Sequence, residues 1–380
     1  QRAYPTLRIF KLEQNYRSTR NIVDAANSLI DKNREQIHKH VFSNNDAGQK
    51  IEVINSSTDY EEAYLVANRI ARLHRETHDS LDEFAVLYRT NSQSRALEEE
   101  LRRRGIGYRV HGGLSFYQRK EVLDAVAYFR LTVNPDDDQA LLRVINYPAR
   151  GIGKTTLAKV RSAAMANDVS LWTVVADPQR FSLDINAGTA RKLRSFAELI
   201  TSFTEDAAKP ANDAYTMVQT IVNRTRMIAV LESDKTPEAI SRRENLSELL
   251  AGAKAFTMQA VAEDEDASLG AFLSEISLAT DQDNDGDEES SGKVTLMTVH
   301  ASKGLEYKHI YIVGLEEELF PSALSSGSAE EIEEERRLLY VAITRAKETC
   351  MLSYATSRFR NGQTVQTRPS RFLSDIDRKY

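Results

Sequence analysis

Cysteine is almost absent from this sequence, since Cys350 in the apolar run TCMLSYA is the single example. One cysteine cannot form an intramolecular disulfide and suits a reducing compartment, so we expect a buried core thiol in a cytoplasmic protein. Apolar runs of about 18 residues are also lacking, and the start QRAYPTLRIFKLEQ does not have the pattern of a signal peptide. We therefore expect no transmembrane helix and no membrane partner. The seven histidines are scattered without metal-ligand spacing, so no metal site is predicted.

Positive charge is in the minority, and the net charge of the whole chain is −6. The deficit lies in one segment, because residues 263–289 hold eleven acidic residues and no Lys or Arg. Without those eleven, the net charge of −6 becomes +5, so composition does not argue against a polyanionic partner such as DNA. An ordinary solvated surface explains the charge equally well.

Short β-like runs alternate with amphipathic helices in two regions of the chain. The first region has a helix over TRNIVDAANSLIDKN, strands at KIEVINSS, EFAVLYRT and GYRVHGG, and helices near residues 59–77 and 92–104. The second has strands at KVTLMTV, HIYIVGL and CMLSYA, and a helix over EEIEEERRLLYVAITRA. This alternation predicts an α/β fold in which helices cover a parallel sheet.

The segment between these regions is mostly helical in pattern, with breaks at NPDDDQ, NYPARGIG and VVADPQRF. The acidic stretch DNDGDEESSG that follows it is expected to be a mobile tether. The simplest architecture is one α/β domain in two sequence pieces, residues 1–114 and 281–380. A mostly helical domain, residues 115–280, is inserted between them, and the tether leads into the second piece.

The stretch YPARGIGKTTLAKV resembles the phosphate-binding loop G-x-x-x-x-G-K-[ST] in Gly153, Lys154 and Thr155. The first glycine of such a loop would fall on Pro148, and the preceding DDQALLRVIN has helical spacing where a buried strand is required. We therefore expect no nucleotide here. A G-I-G turn that opens a helix still exposes amide groups and a positive dipole end, which suit a nucleic-acid phosphate.

The stretch LEQNYRST places Tyr16 beside Arg17 at a loop-to-helix junction. A ring that can stack on a base and a guanidinium that grips phosphate oxygens indicate a nucleotide edge. A packed tyrosine and a surface arginine are the alternative.

In VTLMTVHASKGLEYKHIYIVG, a strand ends in a turn of small and polar residues. This turn should lie at the carboxyl edge of the sheet, where open α/β sheets bind ligands. Glu306 follows it, a carboxylate able to accept from a ribose hydroxyl. The turn residues of interest are Thr298, His300, Ser302, Lys303 and Gly304.

In EEERRLLYVAITRAK, the predicted buried face of a helix leaves Arg345 to project at the helix end. There it could stabilise charge on a γ-phosphate during phosphoryl transfer, although a surface ion pair is the ordinary alternative. The residues of the buried face are Leu338, Leu339, Ala342 and Ile343.

Taken in this order, the stretches resemble motifs of superfamily 1 DNA helicases of the UvrD/Rep/PcrA type. LEQNYRST is similar to motif IV, TLMTVHASKGLEY to motif V and EEERRLLYVAITRA to motif VI. VLYRTNSQSR, GGLSFYQRKEVLDAVAYFRLTVNPDDD and NYPARGIG match further stretches of that family, so the resemblance spans essentially the whole chain. It implies a RecA-like parallel-sheet domain (2A) with an inserted helical domain (2B).

The resemblance also implies roles for residues. Tyr16 would stack on adenine, while Arg17 and Arg345 would reach the γ-phosphate of ATP as catalytic residues. Gly304 and Glu306 would belong to the nucleotide site, with Glu306 at the ribose. The residues implied to bind DNA are Arg89, Asn91, Thr298 and His300 on the single-strand path, and Gly151, Ile152, Gly153, Lys154 and Thr155 at the duplex backbone.

Two parts of such a helicase do not occur in the sequence: the P-loop lysine and the paired Walker B carboxylates that serve ATP and Mg²⁺. Both belong to an N-terminal RecA-like lobe, which would hold most of the metal. The resemblance thus implies the C-terminal half of an ATP-dependent 3′–5′ helicase that acts on single-stranded DNA and on single-strand/duplex junctions. It implies a role in DNA repair or replication, and we expect this half to be inactive alone. A non-catalytic DNA-binding or regulatory protein, the motor part of a helicase–nuclease and a small P-loop NTPase are the alternatives.

Overall fold

The computed structural model describes residues 11–34, 39–284, 292–360 and 363–380. The strands are β1 (Gln14–Asn15), β2 (Phe42–Ser43), β3 (Glu52–Ser56), β4 (Phe84–Tyr88), β5 (Tyr108–Val110), β6 (Val294–Thr298), β7 (Tyr307–Ile312), β8 (Ala346–Ala355), β9 (Ser357–Arg360) and β10 (Gln363–Gln366). The helices are α1 (Arg20–Ile30), α2 (Asp59–Thr77), α3 (Ser94–Arg103), α4 (Lys120–Val133), α5 (Asp138–Val144), α6 (Lys154–Asn167), α7 (Leu171–Ala176), α8 (Ala187–Ala207), α9 (Ala214–Arg224), α10 (Met227–Ser233), α11 (Pro237–Ala262), α12 (Leu269–Asn284), α13 (Ala329–Ile343) and α14 (Arg371–Asp375).

These elements divide into two compact units. The first comprises Gln1–Ser115, Gly286–Phe359 and Thr364–Tyr380 and holds the large sheet. The second comprises Phe116–Asp285 and Arg360–Gln363 and contains helices α4 to α12. The predicted fold class is confirmed: an α/β part in two sequence pieces with a mostly helical part inserted. The exact domain limits after residues 114 and 280 stay predictions.

Six strands of the first unit form one parallel sheet in the order β3-β8-β7-β4-β6-β5. The strand β4 lies between β7 and β6, and all five of its residues are buried. Continuous burial is expected of a parallel strand that helices cover on both faces. Two short strand pairs, β1 with β2 and β9 with β10, lie outside this sheet.

Side chains along β4 alternate between two cores, as the period of a strand requires. Ala85 and Leu87 pack in one core with α1 and α13, whereas Phe84, Val86 and Tyr88 pack in the other with α2 and α3. The first unit therefore has three layers, helix–sheet–helix. The residues that precede or follow the strands are left at two opposite edges of the sheet, and those edges carry the sites described below.

The helix predicted over residues 330–346 ends earlier than expected. The helix α13 ends at Ile343, and Ala346 is already the first residue of β8, where it pairs with Tyr307 of β7. The prediction was wrong at these last residues because the ladder between the strands imposes extended backbone, and tertiary hydrogen bonding overrides a local helical pattern. The same strand holds Cys350, which is buried and has its pKa raised to about 12 by that burial, so the predicted core thiol is confirmed.

The second unit has its own aromatic core, in which α4 packs against α5, α8 and α11. A buried polar chain crosses it: the Arg119 guanidinium donates to Asn245 Oδ1 at 2.9 Å, and Asn245 Nδ2 donates to Glu121 Oε1 at 2.5 Å. Partners of this kind offset the cost of removing a charged group from water. The largest buried aromatic side chains of the unit include Phe116, Tyr128, Phe129, Phe196 and Phe203.

Within the described ranges, every helix is too short or too polar to cross a membrane. The tether predicted at DNDGDEESSG lies, apart from its ends, outside the described residues.

Candidate functional sites at the two edges of the sheet

The loop before α1 is held against the beginning of β8. Asn15 Oδ1 accepts the backbone N–H groups of Arg17, at 2.8 Å, and of Ser18, at 2.9 Å, which closes a tight side-chain-capped turn. Ser18 Oγ donates to the Ala346 carbonyl at 2.6 Å, and the Thr19 N–H donates to the next carbonyl of β8 at 3.0 Å. Local turn chemistry and these two long-range bonds together fix where Tyr16 and Arg17 are presented.

Glu306 is the acidic member of a charged cluster at this edge, which is the amino edge of β7 and β8. Arg17 Nε lies 2.5 Å from Glu306 Oε2, and Lys347 Nζ lies 3.1 Å from Glu306 Oε1. Arg17 also donates from Nη1 to the Thr344 carbonyl at 3.1 Å. The hydrogen bond from Arg17, and then that from Lys347, lower the pKa of Glu306, so the carboxylate is ionised at neutral pH.

Arg345 adds a third cation to the cluster without a carboxylate of its own. In the described part of the chain its guanidinium bonds only to main-chain carbonyls, Nε to Val341 at 3.1 Å and Nη1 to Leu305 at 3.2 Å. Partial burial, followed by the nearby positive charge of Arg17, lowers the pKa of Arg345 from its ordinary value. The cluster thus carries an excess of two positive charges, which an anion would relieve.

The helix end that carries Arg345 is anchored as the sequence predicted in most respects. Leu339, Ala342 and Ile343 are fully buried in the core, while Leu338 is only partly buried and packs against the same core. The buried face therefore directs the residue after the helix toward the amino edge. Tertiary burial of one helical face is what gives Arg345 its position.

Tyr16 presents an open aromatic face beside this cluster. Its side chain is 79% exposed, and its hydroxyl donates to Gln14 Oε1 at 2.8 Å. A tyrosine that is neither packed nor covered is available for stacking on a planar ring. Gly304 lies in the segment between β6 and β7 at φ +94°, a left-handed backbone that favours glycine, with open space where a Cβ would be.

A second group of predicted residues gathers at the opposite, carboxyl edge of the sheet. Tyr88 and Thr298 are the last residues of two neighbouring parallel strands and lie in register. Arg89 and Asn91 follow the first of these strands, and His300 follows the second. The structure therefore brings Arg89, Thr298 and His300 to one edge, where open α/β sheets offer their binding crevice.

Arg89 is neutralised where it lies. It makes a bidentate pair with Glu335 of α13, from Nη2 to Oε1 at 2.8 Å and from Nε to Oε2 at 3.0 Å. Glu335 is buried and also accepts the Ser322 N–H at 3.1 Å. Gln93 Oε1 stabilises the loop after β4 by accepting the backbone N–H of Arg89 at 3.0 Å. Desolvation, and then the charge of Arg89, lower the pKa of His300, which favours a neutral imidazole at this edge.

The sequence placed Glu306 close after the turn of His300, but the two residues lie at different edges. The segment of residues 299–306 crosses the sheet from the carboxyl end of β6 to the amino end of β7. Ser302 stabilises this segment, because its side chain is fully buried and its hydroxyl donates to the Val299 carbonyl at 2.7 Å. The predicted nucleotide residues and the predicted single-strand residues are thus separated within one unit.

The G-I-G turn of the second unit follows a helix, α5, and opens the helix α6. Arg150 organises it by donating from Nη1 to the carbonyls of Tyr147, at 2.9 Å, and Pro148, at 3.2 Å. Asn146 Oδ1 accepts the Ile152 N–H at 3.0 Å, and the Ile152 side chain is buried. Ile152 therefore anchors the turn, whereas its neighbours Gly151, Gly153, Lys154 and Thr155 are exposed.

Gly151 has a φ of +70°, and Lys192 Nζ donates to its carbonyl at 3.2 Å. Gly153 is the N-cap of α6, and no side chain of the described residues caps that end. Open amide groups and a helix dipole remain at this point, which suits a phosphate.

Among the described residues, one group of His, Asp and Glu side chains has the spacing to hold a metal: Asp79, His309 and Glu348. Lys308 already occupies this place, with Nζ 2.6 Å from Asp79 Oδ1, and His309 Nε2 lies 2.9 Å from Asp79 Oδ2. An ammonium group therefore supplies the positive charge that the carboxylates require.

The parallel α/β unit with an inserted helical unit is the architecture of a RecA-like helicase lobe. The chain belongs to the UvrD-like helicase C-terminal domain family, which matches residues 10–357. Three relatives show the extent of the similarity.

The chain is 39% identical over 377 residues to the ATP-dependent DNA helicase PcrA of Bacillus subtilis (strain 168), covering 98% of this chain and 50% of the relative. Identity to the protein of the same name is 37% over 375 residues in Leuconostoc citreum, with 98% and 49% covered, and 36% over 375 residues in Staphylococcus aureus (strain COL), with 98% and 50% covered. The chain spans about half the length of the curated relatives it matches.

Sequence reasoning missed three residues that shape these sites. Glu335 is not distinguished by local sequence from the other acidic residues of its helix, because its partner Arg89 is 246 positions away. Lys347 is likewise not distinguished by any motif. Arg150 lies inside a motif that matched the family, but its role in fixing the turn follows only from the carbonyl groups it collects.

Proposed function

We propose that this chain is the C-terminal motor lobe of an ATP-dependent DNA helicase. In this proposal the sheet-bearing unit is domain 2A, the helical unit is domain 2B, and an N-terminal RecA-like lobe supplies the P-loop lysine and most of the ligands of Mg²⁺. The length of the PcrA relatives, of which this chain spans about half, leaves room for such a lobe. The intact protein would translocate 3′ to 5′ on single-stranded DNA and unwind duplex DNA in repair or replication.

One observation carries the proposal: three cations, Arg17, Arg345 and Lys347, face a single carboxylate beside an exposed tyrosine ring. A surface built only to fold would pair its arginines with carboxylates, since an uncompensated, partly buried cation is unfavourable. The chemistry of this donor set fits ATP, with guanidinium groups for phosphates, a ring for the base and Glu306 for a ribose hydroxyl.

In the proposed mechanism ATP with its Mg²⁺ supplies the phosphoryl group that is transferred. Arg17 and Arg345 bind the γ-phosphate across the cleft between lobes and stabilise the charge that develops on it. Tyr16 orients the base, and Glu306 orients the sugar. Because both arginines are fixed to this lobe, their engagement closes the cleft and their release opens it, which moves the lobes relative to each other.

Single-stranded DNA is proposed to run along the carboxyl edge, past Arg89, Asn91, Thr298 and His300. Since Arg89 is already paired, contacts there would come mainly from neutral donors and the backbone, which suits a strand that must slide without sequence preference. The turn at Gly151–Thr155 is proposed to hold the duplex backbone ahead of the fork. DNA would then be bound mainly by neutral groups and the nucleotide by cations. Because the two sets of contacts differ, the protein could release one ligand while it still binds the other.

The experiment that tests the proposal is hydrolysis of Mg-ATP by this chain alone and after addition of the N-terminal lobe, each with and without single-stranded DNA. We expect no appreciable turnover from the chain alone and DNA-stimulated turnover once the lobe is added. Appreciable turnover by the chain alone would overturn the proposal and would favour a small P-loop NTPase with its nucleotide site at the GIGKTT stretch. No turnover even with the lobe would favour a non-catalytic DNA-binding protein.

A further inference from the structure

Lys347 belongs to the amino-edge cluster, yet no motif gives it a role. Its ammonium lies 3.1 Å from Glu306 Oε1, while Arg17 Nε lies 2.5 Å from the other oxygen, Oε2. The carboxylate is therefore divided between two cations, one oxygen for each. The three side chains are about equally open to solvent, with 35% of Lys347, 43% of Glu306 and 29% of Arg17 exposed.

The backbone of Lys347 is held more firmly than that of Arg17. Lys347 is the second residue of β8, and its carbonyl accepts the Thr19 N–H at 3.0 Å. Its neighbour Ala346 is in register with Tyr307, the residue that follows Glu306. Lys347 thus lies within β8, and Glu306 directly precedes β7, the strand that pairs with β8, whereas Arg17 reaches the carboxylate from a loop. A residue within a strand of the sheet is the better-positioned partner of the carboxylate.

Arg17 cannot grip a phosphate bidentately through Nε and Nη2 while its Nε is committed to Glu306. When Arg17 turns away, Glu306 is left beside an incoming polyanion, and like charges a few ångströms apart repel each other. Lys347 changes this balance, because it keeps the carboxylate paired through Oε1 after Oε2 has been vacated. The same pairing holds Glu306 in place for its own contact with the ligand.

We propose that Lys347 is a positioning residue of the nucleotide site, which retains Glu306 when Arg17 turns from that carboxylate to the phosphates. The inference rests on the proposed function of the cluster and adds a residue to it. Lys347 acts through Glu306 and does not itself contact the nucleotide. Its removal therefore affects nucleotide binding more than the chemical step.

The test uses the chain assembled with its N-terminal lobe and compares Lys347→Met, Lys347→Arg and, as a control for charge, Lys379→Met. Lys379 is exposed, and its ammonium lies 3.1 Å from Asp377 Oδ2 and 4.6 Å from the centre of the Tyr380 ring. For Lys347→Met we expect KM for ATP to rise roughly twofold to fivefold, the upper part of the range for one partly exposed ion pair, with kcat little changed. Affinity for single-stranded DNA without nucleotide stays at the wild-type value, and Lys347→Arg restores KM.

A double-mutant cycle with Glu306→Gln separates action through Glu306 from direct contact. We expect Lys347→Met to have no further effect on KM when Glu306 is already neutral. An equal rise in KM in both backgrounds would mean that Lys347 touches the nucleotide itself and would overturn the inference, as would a Lys347→Met enzyme indistinguishable from Lys379→Met.

Failure of the inference can be told from failure of the proposed function by adding Arg345→Ala to the series. If Arg345→Ala abolishes turnover while Lys347→Met matches the control, the nucleotide site stands and only the role of Lys347 is lost. If Arg345→Ala leaves turnover intact, the nucleotide site itself is elsewhere and both are overturned.

Discussion

The two edges of the same sheet treat arginine in opposite ways. At the amino edge, Arg345 bonds to two carbonyl groups and lies near a second arginine, and no carboxylate of the described residues forms an ion pair with it. At the carboxyl edge, Arg89 is held bidentately by the buried Glu335. This contrast between Arg345 and Arg89 shows that the number of arginines at a site does not by itself indicate its ligand. The charge left over after internal pairing is the informative quantity.

This difference fits the two tasks proposed for the edges. A nucleotide has to be bound tightly at one place, and an excess of two positive charges provides that. A strand that is to be translocated has to be held and released many times, and a field of unpaired cations would hold it too strongly. Neutralising Arg89 from within the fold leaves the carboxyl edge with directional hydrogen-bonding groups but little net attraction.

The largest effect is expected from Arg345→Ala, which removes the cation that has main-chain carbonyls as its bonding partners. We expect ATP turnover by the assembled enzyme to fall by about 10³-fold or more, as for other arginines that stabilise the phosphoryl-transfer transition state. Binding of single-stranded DNA without nucleotide, measured by fluorescence anisotropy, should be unchanged. Arg345→Lys retains the charge but loses the guanidinium fork and should recover little activity. A strong loss of single-strand affinity would show that the two edges are not separate.

The second prediction concerns a variant that gives the carboxyl edge an arginine without a carboxylate partner, as at the amino edge. Glu335→Gln leaves Arg89 without its counter-charge, and we expect a loss of about 1–3 kcal/mol in the free energy of unfolding. Single-stranded DNA should bind more tightly at low salt, with a salt slope steeper by about 1, because one more cation is available to phosphates. Denaturant titration and salt-dependent binding measure the two effects.

The control for this variant is Glu334→Gln on the same helix. Glu334 is 65% exposed and pairs with Arg337 at the surface. Its neutralisation should change stability by no more than about 0.5 kcal/mol. Equal effects of the two variants on DNA binding would mean that overall charge, and not the release of Arg89, is responsible.

The third prediction concerns Asp79, which lies near the amino edge and pairs with Lys308 and His309. Hydrogen bonds from Lys308, and then from His309, lower the pKa of Asp79 from its usual 3.8 to about 2. A depressed carboxyl pKa contributes stability that is present above about pH 4 and is lost as the pH falls toward 2. Wild type should therefore be more stable than Asp79→Asn at pH 7 by about 1–2 kcal/mol.

That difference in the free energy of unfolding should close between pH 4 and pH 2, as followed by denaturant titration at each pH. ATP turnover at pH 7 should stay close to that of the wild type, because Asp79 bonds to Lys308 and His309, outside the amino-edge cluster. A gap that persisted down to pH 2 would show that Asp79 contributes through packing and not through its charge.

The smallest effect is expected at the second unit, where Gly153→Asp tests whether an uncapped helix end behaves like the amino edge. Gly153 has ordinary extended backbone and nothing within 4 Å of an added Cβ, so the substitution is not strained. Aspartate is a good N-cap and should keep or slightly raise stability. Its carboxylate should nevertheless weaken binding of a duplex with a single-stranded tail by roughly tenfold, more than binding of single strands.

Gly153→Asn serves as the matched control, since it caps the helix without charge. It should reduce duplex affinity less than Gly153→Asp does. If Gly153→Asp binds the tailed duplex as well as the wild type, the turn at residues 151–155 does not hold the DNA backbone.

Much of this organisation follows from sequence because it depends on local patterns. Alternation of apolar residues predicted the central strands, and helical spacing predicted α1, α2 and the buried face of α13. Thr298 and His300 were predicted at the carboxyl edge since residues after parallel strands gather there. Tyr16 and Arg17 stood out because a ring and a guanidinium adjoin at the entrance to a helix.

What could not be predicted depends on pairing between distant segments. Glu306 lies only a few positions beyond His300, but strand order places β4 between β6 and β7, so the chain must cross the sheet. Glu335 is buried because Arg89 lies opposite it, and no local pattern distinguishes it from the exposed Glu334. The end of α13 was misjudged because hydrogen bonding to β7 decides the backbone of Ala346. In each case register and partner choice, which sequence periodicity does not encode, set the outcome.

The helix α13 has a mechanical consequence. Glu335 lies eight positions before Ile343, the last residue of the helix, which corresponds to about 12 Å along the axis. The helix therefore carries the carboxylate that restrains Arg89, and two residues beyond its end lies Arg345, the cation that is proposed to meet the γ-phosphate. We expect any movement that tilts or shifts α13 to change the contacts at both edges of the sheet together. The proposed DNA-binding edge and the proposed nucleotide site would then be mechanically coupled through one helix.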